Sequence, residues 1–129
     1  MKRKMKILVW TCLGILILYN CFCMHLDGKD GGTITYSYGG IEFTESLTDE
    51  EARTVTKILN GKIPFADNPS CGYTEKISIC IDGWTFALAC DSCADVKICE
   101  TGKYIGFSDE ERDTLEEMFT SRGGVFPCV

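Results

Sequence analysis

The chain has 129 residues, 45% of them hydrophobic and 25% charged, with three prolines. That is the composition of at most one ordinary domain, and it excludes wholesale disorder. A net charge of −6 disfavours a nucleic-acid backbone as partner, and the single histidine, His25, nearly excludes catalysis built on a histidine pair.

Lys2, Arg3, Lys4 and Lys6 put four positive charges ahead of Ile7 to Leu26, which carry no formal charge. A basic flank before an apolar run is the pattern of a secretory signal. A run of about 20 apolar residues also suffices to cross a bilayer. Residues 1–26 therefore read as signal peptide or signal-anchor, with 7–26 as a single-pass anchor in the second case. The basic flank lies before this run and Asp27 and Asp30 lie after it. That asymmetry sets the N-terminus inside and the remainder outside. Cys21 and Cys23 are small enough to precede a cleavage site, leaving Met24 as a new N-terminus, while Leu18-Tyr19-Asn20-Cys21 resembles a lipoprotein signal only loosely.

Beyond the leader, nine basic residues stand against all 19 acidic ones, a net charge of −10. Such a domain is soluble and is repelled by nucleic acid and by anionic lipid. Asp27 to Gly32 read as a flexible spacer, because glycine and charge cannot bury a core; residues 33–129 then form the exported domain. Thr33–Tyr38 and Ile41–Glu45 read as strands around Gly39-Gly40. Thr48-Asp49-Glu50-Glu51 is a capping box. It opens a helix whose apolar face is Ala52, Val55, Ile58 and Leu59, and Asn60-Gly61 stops it.

The same grammar returns sixty residues later. Val96–Cys99 and Lys103–Phe107 read as strands around a Glu100-Thr101-Gly102 turn. Ser108-Asp109-Glu110-Glu111 is a second capping box, followed by a face of Leu115, Met118 and Phe119. A ββα pseudo-repeat is one reading of this recurrence, and two helices capped alike by chance is the other.

Between the two units Ile77, Ile79 and Ile81 alternate, Asp82-Gly83 offers a type I′ turn, and Trp84, Phe86 and Leu88 alternate onward. A two-residue turn sets Ile81 opposite Trp84, Ile79 opposite Phe86 and Ile77 opposite Leu88, all on one face. The expected fold is α+β. An antiparallel sheet is centred on the 76–90 hairpin, and two capped helices near 48–60 and 108–121 pack on one of its faces. Ile77, Ile79, Trp84, Phe86, Leu88, Val55, Leu59, Leu115 and Phe119 are expected in the core.

Of nine cysteines, Cys12, Cys21 and Cys23 belong to the leader, and Cys71, Cys80, Cys90, Cys93, Cys99 and Cys128 to the domain. An even number in a small exported domain implies up to three disulfides. By strand phase Cys80 and Cys99 both point away from the core, so they pair if the 95–99 strand lies beside the 76–81 strand. Cys71, Cys90, Cys93 and Cys128 then form a second cluster.

Cys90-Asp91-Ser92-Cys93 has two sharper readings. As a thiol–disulfide redox pair it would want a helix N-terminus to lower a thiol pKa. Its flanks instead read as strands, and Asp91 and Asp95 would raise the pKa. As part of a zinc site, Cys71, Cys90, Cys93 and Cys128 would satisfy tetrahedral coordination, in competition with oxidation on an export route. No phosphate loop and no nucleophile elbow is present. The sequence thus suggests a small exported module, secreted or membrane-tethered, stapled by disulfides. It would act without catalysis or cofactor, by contact with a protein or cell-envelope partner. Its rivals are a redox protein using Cys90 and Cys93 and a zinc-stabilised module.

Overall fold

The computed structural model describes residues 2–91 and 93–127. The chain runs α1 (Lys2–Phe22), β1 (Gly32–Tyr38), β2 (Ile41–Ser46), α2 (Asp49–Leu59), β3 (Tyr73–Ile81), β4 (Trp84–Ala89), β5 (Asp95–Ile98), β6 (Lys103–Gly106) and α3 (Asp109–Thr120). The six strands form one antiparallel sheet in the order β2-β1-β3-β4-β5-β6. The β3–β4 hairpin is thus central, flanked on each side by a hairpin that leads into a helix. The fold is α+β, as the sequence implies.

Local chemistry accounts for the centre. Asp82 and Gly83 both have positive φ, 51° and 77°, the backbone a type I′ turn requires. Ile81 lies opposite Trp84 and Ile79 opposite Phe86. The expected Ile77–Leu88 pair does not form. After Ser78↔Ala87 the register shifts, and pairing resumes only at Tyr73↔Ala89. The buried Ser78 hydroxyl donates to the Glu75 carbonyl at 2.7 Å, closing this bulge. Ile77 still faces the core and is buried, whereas Trp84, at the strand's first position, is half-buried on the core's rim.

The core cluster joins Ile34, Ile79, Phe86, Leu88, Val96, Ile98 and Ile105 from the sheet to Val55 and Leu59 of α2 and Leu115 and Phe119 of α3. Tyr36 stacks on Phe43 and meets Phe119 and Phe126 edge-on or tilted. Its hydroxyl donates to the Val125 carbonyl at 2.9 Å, fastening the chain beyond α3.

Both capping boxes form, around Thr48 with Glu51 and around Ser108 with Glu111. Each box glutamate also meets a cation from beyond the other helix's C-terminus. Arg122 reaches Glu51 at 2.8 Å, and Lys62 reaches Glu111 at 2.7 Å. The two helices therefore run antiparallel and lock each other's first turns. The Arg122 hydrogen bond is the main reason that the Glu51 carboxyl is held below its ordinary range. A depressed carboxyl contributes stability above its unfolded pKa and loses it as pH falls through the folded one. Glu51→Gln is therefore expected to cost about 1–3 kcal/mol at neutral pH. The gap from the parent should close on acidification, which paired thermal melts across a pH series would read.

Residues 23–28, which the sequence divides between leader and spacer, pack against the domain. Met24 and Leu26 are buried in the core cluster, and Cys23 is buried beside them. Met24 and the Gly61–Lys62 backbone exchange hydrogen bonds of 2.8 and 3.1 Å. The Asn60 amide donates to the Leu26 carbonyl at 2.9 Å. The Asp82 carboxylate accepts from the N–H groups of Asp27 and Gly28, at 2.6 and 3.2 Å. Gly28 is there for close approach rather than flexibility. It has a φ of 68°, and a Cβ would come within 2.5 Å of the Thr56 hydroxyl. Residues 23–28 are thus a strap docked on the domain, and Gly32 already belongs to β1. A product cleaved before Met24 would keep both core side chains.

Candidate functional site

The cysteine-rich corner lies where β3 begins, β4 ends and β5 begins. Tyr73 pairs with Ala89 at this end of the sheet. Just outside it Cys71 and Cys93 are joined in a disulfide, their Cα atoms 6.6 Å apart, within the usual span. Cys90 is also disulfide-bonded, to a residue other than Cys93. The Cys-x-x-Cys therefore does not close on itself. Cys128, grouped with these three by the sequence, lies outside the described residues.

The pairing expected between Cys80 and Cys99 is not made, and both thiols are free. The sheet order explains this. Strand β4 lies between β3 and β5: Cys80 pairs with Thr85, and the Cys99 N–H donates to the Thr85 carbonyl at 2.9 Å. Two strand spacings of about 4.8 Å each exceed the Cα separation that a disulfide tolerates, about 4.4–6.8 Å.

Arg112 organises the corner from α3. It is 5% exposed. Its Nε meets Glu116 at 2.6 Å, and its Nη2 donates to the carbonyls of Ala89 and Asp91 at 2.7 and 3.1 Å. The guanidinium also lies 5.8 Å from the centre of the Phe126 ring. Its Nη1 and the Tyr73 hydroxyl are buried without a hydrogen-bond partner among the described residues. Burial, reinforced by the Asp95 carboxylate, pushes the Tyr73 phenol up to about 12. Asp95 is itself raised, by burial and then by Asp67. Burial thus favours the neutral forms of Tyr73 and Asp95.

The Asp91 carboxylate and the sulfurs of Cys71 and Cys93 lie within 4.8 Å of one another. While the disulfide stands, neither sulfur is a thiolate ligand. On reduction Cys71, Cys93 and Asp91 could hold a cation.

The Cys99 thiol is a poor nucleophile by environment. Burial pushes the Cys99 thiol up, and the Glu75 and Glu100 carboxylates add to that. Its reaction with iodoacetamide is expected to be slower in the folded chain than in urea at the same mildly alkaline pH, because only the thiolate attacks. Mass spectrometry of the Cys99 peptide against time reads the rates. Equal rates would show that neither burial nor the carboxylates hold this thiol back. His25 is remote from the corner, its Nε2 lying 2.7 Å from the Asn20 carbonyl and 3.4 Å from the Cys23 sulfur.

Sequence reading missed Arg112, although a signal existed. It shares helical spacing with Leu115 and Phe119, so a charge stands on the apolar stripe. Comparison with family models, with curated proteins and with solved structures finds no match.

Proposed function

We propose that this chain is an exported module held at the outer face of a membrane by α1, and that it works by contact with a protein or cell-envelope partner rather than by catalysis. The observation that carries this reading is the junction at residues 22–24. An apolar helix long enough to cross a bilayer, with no buried residue, runs directly into a strap packed in the domain core. The Cys71–Cys93 bridge supports an oxidising compartment. The sheet face away from the helices, bearing Thr33, Thr35, Thr44 and Thr85, is the polar surface left for a partner.

Carboxy-terminal reporter fusions in a bacterial host test the topology. Alkaline phosphatase, which folds only outside, should be active, and the chain should stay with the membrane after alkaline carbonate extraction. A fluorescent protein that folds only inside should stay dark. An active inside reporter would overturn the reading. Release by carbonate would convert tethered to secreted.

A second reading has one observation in its favour, the convergence of Cys71, Asp91 and Cys93. A reduced chain would offer three of the four ligands of a zinc site. Stoichiometric zinc in protein purified without oxidation would favour it, whereas metal-free protein with the bridge intact would dismiss it.

A further inference from the structure

We infer that the face of the domain around Trp84 rests on the membrane that α1 enters, its partner being the headgroup and upper acyl layer of zwitterionic lipid; this rests on the tethered reading above. The uncharged part of α1, residues 7–22, runs about 24 Å at 1.5 Å per residue, short of a hydrocarbon core of about 30 Å, so the domain is drawn down onto the bilayer surface. Its last residue, Phe22, is followed at once by the buried Cys23 and Met24, so no slack separates bilayer from domain.

The joint is also fixed in direction. The Tyr19 hydroxyl, in the last turns of α1, donates to the Gly61 carbonyl at 2.7 Å, and His25 meets the Asn20 carbonyl. Whatever surface surrounds the end of α1 is therefore set at headgroup depth.

That surface has the chemistry of a membrane interface. A groove of about 230 Å³ runs from Phe22 and Met24 to Pro64, Trp84 and Lys103. Ile63 and Phe65, on either side of Pro64, are 48% and 39% exposed. Tryptophan joins an apolar body to one N–H donor and collects where hydrocarbon meets water. Lysine can lay its stem on apolar surface while its ammonium reaches the headgroups. Lys103 makes no ion pair among the described residues. The net charge of −10 beyond the leader would oppose a broad contact with anionic lipid, so the contact is confined to this rim and suits zwitterionic headgroups.

Each of the two tryptophans, Trp10 in α1 and Trp84 at the rim, can be made the sole reporter. The full chain is reconstituted in phosphatidylcholine vesicles containing lipid brominated either near the top or near the end of its acyl chains. In Trp10→Phe, whose altered side chain is exposed on α1, Trp84 should lose most of its emission to shallow bromine and little to deep bromine. In Trp84→Phe, Trp10 reports insertion of α1. Quenching of Trp10 without quenching of Trp84 would overturn the seating and leave the tether intact. Quenching of neither would overturn the tether and the seating together.

Discussion

Arg112→Met is expected to destabilise the domain by about 3–5 kcal/mol, the cost typical of removing one partner from a buried charged network. Methionine fills much of the arginine stem's volume, so the loss isolates the guanidinium. Without it the Ala89 and Asp91 carbonyls lose donors and Glu116 loses its ion pair. Its Nη1, which has no partner among the described residues, leaves part of the arginine's desolvation uncompensated by them, which draws the figure toward the lower bound. Arg112→Lys should recover only part of the loss, because a single ammonium cannot make the same fork. Urea melts read the effect as a lower midpoint at unchanged slope. A cost below about 1 kcal/mol, the range of an exposed ion pair, would mean that Arg112 does not hold the corner.

The second large effect is expected from Cys71→Ser with Cys93→Ser. The bridge closes a separation of 22 residues, for which the chain-entropy model gives about 3 kcal/mol. Reducing the parent under native conditions, which also opens the Cys90 bridge, should lower its melting temperature at least as far as the double replacement does. Because Arg112 and the bridge both fasten the chain just after β4, their removals should not add. Combining them should cost less than the sum, since contacting elements couple. Full additivity would mean that the two fasteners act on separate parts of the structure.

What the sequence made legible was local. The Asp82-Gly83 turn and the boxes at Thr48 and Ser108 are written in four residues or fewer, and each forms. Period-two and helical spacing likewise placed Ile79, Phe86, Leu115 and Phe119 in the core. What failed depended on contacts that patterning does not encode, most of them between residues distant in sequence. Pairing Cys80 with Cys99 required a strand order that no local pattern encodes. The bulge beyond Ser78 rests on one hydroxyl reaching back to Glu75, and alternation alone carries no sign of it. Met24 and Leu26 were absorbed into the leader because apolar residues beside an apolar helix look continuous with it. Only the three-dimensional contact with Asn60 and Lys62 separates them. At the cysteine corner, composition pointed to stapling, and the choice of Cys71 with Cys93 came from the meeting of the β3 and β5 approaches.

The state of the thiols tests the central claim, an exported domain stapled at this corner. The full chain is recovered from membranes, alkylated without reduction, and cut before aspartate and after lysine, so that Cys90 and Cys93 part at Asp91 and Cys71 and Cys80 part at Lys76. Peptide mapping should find Cys71 linked to Cys93, with Cys80 and Cys99 alkylated. Alkylated Cys71 and Cys93, or a linked Cys80–Cys99 pair, would contradict it.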